Sequence, residues 1–372
     1  MDFGLNEQQQ AVADLAERIF RDHGDDDRIR RIYESGDVFD ADLWRSLAET
    51  GLLGAIVPEA DGGAGLGMME FGLILEAQGT RLGAVPLWRH SLAALAIASF
   101  GTETLKRQQL AGLIDGSRIA SLWGGGGGIT PSVTATPQRN GWVLSGTAEA
   151  AIIDHRTSLL LVLATVPDGG SALFAVACDD PALSKTWGTM TNHETAADIK
   201  FDGLELSGDA CLKINDAADW LAVRSAQSIS ALQLGVVAQA LSRAAAYVGE
   251  REQFGRQIGS FQAVAMRMAD ASIHLELLRT AQWQLGWRLD HGLPARAAAC
   301  VASYQASEAG HIIGHTAQHY HGGTGADLTY PVHRFFLWAT ALDLANGGAQ
   351  AQLESLGGML PERVGFEECV GG

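Results

Sequence analysis

The sequence predicts an α+β multidomain chain: an N-terminal α-helical domain (1–117), a mostly antiparallel β domain (118–215) and a C-terminal four-helix bundle (216–372). Two changes of apolar period carry this reading. Apolar residues recur at helical spacing up to about residue 117, run in short strand-like blocks from about 118 to 206, and return to helical spacing from about 216. A chain of 372 residues also exceeds what one core usually serves. Charge adds a third observation. Lys and Arg total 26 against 43 Asp and Glu, net −17, and charged residues are 19% of the chain where about 25% is usual. So few charges imply that other subunits cover part of the outside, and an oligomer is expected.

Val12, Leu15, Ala16 and Ile19 follow helical spacing behind Asn6 and Gln9, which form a capping-box pattern, so a helix starts near residue 6. A second runs over 41–50, with Asp40 as cap and Gly51 as terminator. Further helical patterns cover 68–79, 86–99 and 103–114. Strands are predicted at 141–146, 158–166, 171–178 and 197–206, with PDGG (167–170) as a tight turn. Long helices follow over 217–247, 261–290, 295–319 and 330–347, and their short links argue for an antiparallel bundle.

Composition excludes some partners. No Lys/Arg-rich run is present to displace the counterions of a polyanion, so neither nucleic acid nor an anionic membrane surface is expected. No apolar stretch long enough to span a bilayer is apparent, and the start MDFGLNEQQQ has no leader pattern. Cys178, Cys211, Cys300 and Cys369 are scattered without metal or redox spacing. A reducing, cytoplasmic location is the expectation.

Three strings carry a family resemblance. WRSLAETGLLGAIVPEADGGAGLG (44–67), REQFGRQIGSFQ (251–262) and HGGTGADLTYPVHRFF (321–336) resemble, in order and spacing, signatures of the acyl-CoA dehydrogenases. The resemblance implies an α domain, a β domain and a four-helix bundle, FAD as cofactor, an acyl-CoA thioester as substrate and a tetramer. It also implies that Arg251 meets the flavin pyrophosphate of a neighbouring subunit, a planar fork suited to phosphate oxygens. Gln253 and Phe254 are similar to residues beside the adenylate, and Gly322 and Gly323 to a turn that leaves room for it. Gln318 neighbours the position of a family glutamine occupied here by His319, and Gln350 matches a polar family position.

Where that family keeps its chemistry, this chain departs. The base that takes the α proton must be an anion. Of the two places where members carry it, one aligns with Asn346 and the other with Ser225, and neither is basic at neutral pH. SLWGGGGGITPS (121–132) replaces a flavin-holding string, and Ala150 and Ile152 stand where an aromatic and a hydroxyl usually flank the flavin ring. Residues that would serve a partner's flavin are retained while those for the chain's own are lost. This pattern is similar to the non-catalytic subunits of heterotetrameric α2β2 members that act on bulky thioesters such as steroid side chains. A self-sufficient homotetramer with an unorthodox base and a flavin-free structural subunit remain alternatives. Asp343 and Glu149 are weak substitutes for the base.

Two other constellations fit less well. His311, His315 and His319 share one helix face, with His321 beyond, but no Glu stands within HIIGH and no carboxylate ligand follows, so no metal site is expected. The run Gly124–Gly128 lacks the Lys-Ser/Thr of a phosphate loop. Small residues in SAQSISALQLG (225–235) permit either a wide cavity or close helix packing, so the acyl group is left open.

Overall fold

Asn6 opens the first helix: its side chain accepts from the Gln9 amide at 2.8 Å, while Gln9 Oε1 accepts from the Asn6 amide at 3.1 Å. The structure, a computed structural model, describes residues 4–124, 132–212 and 214–359. Its N-terminal helices are α1 (Glu7–His23), α2 (Asp26–Glu34), α3 (Ala41–Glu49), α4 (Met68–Arg81), α5 (Leu87–Phe100) and α6 (Glu103–Ile114). Asp40 caps α3 through the Leu43 amide at 3.0 Å, and Gly51 follows in the left-handed region at φ 76. α2 is not evident in the apolar pattern because only Ile29 is buried. Charge holds it: Arg28 donates to both Asp40 oxygens at 2.9 and 2.6 Å, and Arg243 pairs with Asp26.

The β region comprises β1 (Ile119–Trp123), β2 (Val133–Gln138), β3 (Gly141–Ala151), β4 (Thr157–Thr165), β5 (Ser171–Ala177), β6 (Ser184–Thr189), β7 (Thr195–Ser207) and β8 (Cys211–Leu212). The path runs β6-β7-β3-β2-β4-β5-β8, with β1 also on β4. The pairing is mostly antiparallel, as expected, with two parallel pairs beside it: β1 and β2 both pair with β4 in parallel. The hairpin of β2 and β3 lies between β1 and β4 in the chain and supplies the crossover that parallel pairing demands. β4 is an apolar run because both its faces are covered. Leu159, Leu161 and Leu163 join the helical core, while Leu160, Val162 and Ala164 join a second core with Phe174, Val176 and Phe201. The sequence pattern did not disclose β1, β2 or β6. β6 is an exposed edge strand without an alternating apolar face.

The bundle is α7 (Ala217–Glu250), α8 (Gln262–Asp290), α9 (Arg296–His321) and α10 (Val332–Ala345), with a two-residue hairpin of β9 (Glu252–Gln253) and β10 (Arg256–Gln257) after α7. A last helix, α11 (Gly348–Gly357), packs on α9. The helices run up-down-up-down, so α7 and α9 start at one end and finish at the other. Gln233 ties them centrally, its amide donating to the Ala306 and Ala339 carbonyls at 3.3 Å each. Among the described residues one helix, α7, is long and apolar enough to cross a membrane, contrary to the sequence reading, but 67% of its apolar window is buried within this protein. α4 lies across α7 and α8. Asp290, at the end of α8, caps α4 by accepting from the Met68 and Met69 amides at 2.6 and 2.9 Å.

Two candidate sites at opposite ends of the bundle

The first site is a cavity of about 760 Å³ at the end where α7 and α9 begin. The β4–β5 hairpin forms one wall, the first turns of α7 and α9 two more, and α11 closes the floor. Ser225 and Asn346, the two positions matched to the base, both line it. They come together because the start of α7 and the end of α10 lie at the same end of the bundle. Asn346 is only 4% exposed and its amide is closed on Ser303: Oδ1 accepts from Ser303 Oγ at 2.9 Å, and Nδ2 donates to the Ser303 carbonyl at 3.2 Å. Gln352 donates to the Asn346 carbonyl at 2.5 Å. Ser225 Oγ is buried and has no hydrogen-bond partner among the described residues. The carboxylates that line the cavity, Asp168, Asp216 and Asp219, sit on the hairpin turn and the first turn of α7, and Arg296 pairs with Asp219 at 3.7 Å. Cys300 also lines the wall, and burial pushes its thiol up.

The second site lies where α7 and α9 end. Arg251 follows α7 directly and is exposed, and among the described residues its guanidinium has no hydrogen-bond or ion-pair partner. Phe254, at the hairpin tip with φ 56, is 92% exposed. Gln253 is exposed beside it. The turn after α9 faces the same end. Gly322 holds φ 56 and ψ −132, a conformation open to glycine, and a Cβ on Gly322 or Gly323 would meet nothing within 4 Å. His321 links the two segments. Its ring lies 4.4 Å from Tyr247 of α7 and 5.2 Å from Tyr330, and Nδ1 donates to the Ala317 carbonyl at 2.7 Å. Burial lowers the His321 pKa, and among the described residues its buried Nε2 has no hydrogen-bond partner.

The remaining predicted residues fall variously. Gln318 is half-buried, its Oε1 turned in beneath Gly325, while His319 is exposed. Gln350 is exposed on α11, at the cavity end and away from Arg251. Asp343 does not line the cavity, and one of its carboxylate oxygens is buried with no hydrogen-bond partner among the described residues. Glu149 is exposed on β3, where its carbonyl accepts from the Trp123 indole at 2.8 Å. Ala150 sits at a bulge with φ 48, its amide donating to Asp198. Residues 125–131, with most of the glycine run, and Cys369 lie outside the described residues. The histidine stripe divides: His311 and His315 are exposed and meet edge to face with ring centroids 4.5 Å apart, whereas His321 turns inward. Ser303 and Gln352 escaped the sequence reading. A polar pair on an apolar helix, Ser303 and Ser307 one turn apart, was the available signal.

Models of the acyl-CoA dehydrogenase N-terminal and C-terminal domains match residues 6–117 and 219–359. Acyl-CoA dehydrogenase FadE27 of Mycobacterium tuberculosis is 35% identical over 97% of this chain and 99% of its own. The chain belongs to the acyl-CoA dehydrogenase family. Among solved structures, a variant of the Tcur3481–Tcur3483 steroid ACAD matches with TM-score 0.88 and 40% identity, covering 95% of this chain and 97% of that one. The ChsE4–ChsE5 complex from M. tuberculosis matches with TM-score 0.92 and 35% identity, covering 98% and 100%. The acyl-CoA dehydrogenase fold is thus shared almost end to end, and the family is one of oxidoreductases.

Proposed function

We propose that this chain is the non-catalytic subunit of a heteromeric, FAD-dependent acyl-CoA dehydrogenase, in which it completes the FAD site of a sister chain and the sister dehydrogenates the acyl-CoA thioester. The observation that carries the reading is a separation. At 1.5 Å per helical residue, Arg251 stands about 39 Å along α7 from Ser225. A cation at one end of the bundle does not serve a flavin lying over the chain's own base positions at the other.

The residues fit half of an FAD site. Arg251 offers an unpaired guanidinium for phosphate oxygens, Gln253 and the exposed Phe254 flank it, and the open Gly322–Gly323 turn leaves space where a Cβ would stand. When bound, the flavin supplies the hydride acceptor. The chain's own cavity fits the chemistry poorly. Among the described residues its deep wall presents an amide locked on Ser303 and a serine, and neither is an anion able to take an α proton. Ala150 and Ile152 offer neither the aromatic nor the hydroxyl that would flank a flavin ring. Two relatives support the heteromer and a bulky acyl group: one is described as a complex of two named chains, the other as a steroid enzyme.

Flavin content tests the reading. Purified alone the chain is expected to be colourless, and co-purified with its sister it is expected to carry one FAD for every pair of chains. A yellow homo-oligomer with turnover would favour a self-sufficient enzyme, and a colourless complex would favour a structural subunit.

A further inference from the structure

Arg251 and the Gly322–Gly323 turn follow different helices, with the whole of α8 and α9 between them in the chain. A guanidinium and an open turn serve one ligand only if their separation is fixed to about 0.5 Å. Neither fixes it unaided. Arg251 is exposed and its guanidinium has no partner among the described residues, while both glycines are exposed and stand in open space.

The link between them lies beneath the surface. His321, the last residue of α9, is 2% exposed. Its ring stands between two tyrosines, 4.4 Å from Tyr247 at an interplanar angle of 31° and 5.2 Å from Tyr330 at 47°. Such ring pairs add a directional attraction to the area they bury. Tyr247 lies in the last turn of α7, and its carbonyl accepts from the Arg251 amide at 2.9 Å. Tyr330 closes the segment that the glycine turn opens, its amide donating to the Asp327 carbonyl at 3.0 Å. The imidazole is also tied to its own helix. A carbonyl only accepts, so Nδ1 carries the proton of the 2.7 Å bond to Ala317. One ring therefore touches the turn of α7 that carries Arg251 and the far end of the glycine segment, while its own backbone begins that segment.

We propose that His321 is a positioning residue of the FAD half-site. Its imidazole, held between Tyr247 and Tyr330, keeps the Gly322–Gly323 turn and Arg251 in one register, so that both meet the ADP portion of a flavin bound mainly by the sister chain. The proposal rests on the subunit reading above. It assigns a role to a side chain that acts through Arg251 and the turn.

The test uses the complex of the full chain with its sister, stripped of flavin and titrated with FAD while flavin fluorescence is followed. His321→Ala is expected to raise the FAD dissociation constant at least about ten-fold, the low end of what losing an orienting partner costs. Sedimentation is expected to show the complex still assembled. Tyr247→Leu, a change at a half-buried position, removes the same ring contact from the other side, is expected to give a similar loss, and serves if the first variant does not fold. His321→Phe keeps a ring between the tyrosines and loses only the N–H donor, so its loss is expected to be about five-fold or less. His321→Ala combined with Arg251→Ala is expected to weaken binding by less than the product of the two single losses, because a residue that places Arg251 has less to place once the guanidinium is gone. Independent damage would multiply. The proposal is overturned if an assembled complex carrying His321→Ala or Tyr247→Leu binds FAD as the parent does, if His321→Phe is as damaging as His321→Ala, or if the His321 and Arg251 losses multiply. Flavin content of the parent keeps the two readings apart. One FAD per pair of chains with no effect at His321 sinks only this proposal, whereas a yellow, active homo-oligomer sinks the subunit reading itself.

Discussion

Asn346 shows how far one residue can be interpreted without its neighbours. Its identity already says that an amide replaces an acid, but only the fold shows both ends of that amide satisfied by Ser303. His90 illustrates the converse, a residue with no motif around it that the fold makes decisive. It is fully buried, Nε2 donates to the Leu113 carbonyl at 2.8 Å, and Nδ1 accepts from the Ala120 amide at 3.2 Å, fixing β1 against α5 and α6. Burial lowers its pKa to about 4 from an ordinary 6.5. Between those values the unfolded chain takes up a proton that the folded chain refuses, so stability is full above about pH 6.5 and falls as pH drops toward 4. The loss amounts to roughly 3 kcal/mol. Thermal midpoints measured across this range are expected to fall less steeply in His90→Gln than in the parent, and parallel curves would refute the assignment.

Elements were legible wherever a pattern had one period. α1, α3 and α4 to α6 follow the helical spacing expected, as do the four long helices, because each buries one stripe or a whole circumference. α2 and β6 were not, since ion pairs hold the first and ladder bonds the second, and neither leaves an apolar period. The approach of α4 to α7 was equally hidden. A Cβ on Gly79 would lie 2.1 Å from the Leu232 carbonyl oxygen, and one on Gly235 would lie 1.9 Å from that of Glu76, so these helices meet backbone to backbone. Gly235→Ala should force them apart and lower stability by about 1–3 kcal/mol despite alanine's better helix propensity. Urea unfolding would measure it. An unchanged midpoint would mean that the contact is softer than its geometry implies.

At the scale of the whole molecule, low charge and exposed apolar side chains point the same way. Met266, Ile273 and Leu277 on α8 and Leu344 on α10 are exposed, between 46% and 64%, consistent with the subunit contacts we propose. The two ends of the bundle then have different dependence on a partner. Arg251→Ala is expected to lower FAD occupancy of the complex by ten-fold or more, read from the ratio of flavin to protein absorbance, without moving the thermal midpoint of the chain alone. Removing one charged donor from phosphate accounts for that size. Unaltered flavin content would place the pyrophosphate elsewhere.

By itself the sequence determined the three-part order of elements, the family and the absence of an acid at two aligned positions, because periodicity and local motifs are properties of neighbouring residues. It did not determine that Ser225 and Asn346 share one cavity, that Ser303 closes the amide, or that Arg251 and Gly322 share the opposite end. Those facts depend on four helices alternating in direction, which brings residues a hundred or more positions apart within reach and carries others tens of ångströms away. The apolar glycine-lined crossings and the acidic cavity mouth have the same origin. They are relations across the bundle, and only tertiary packing decides them.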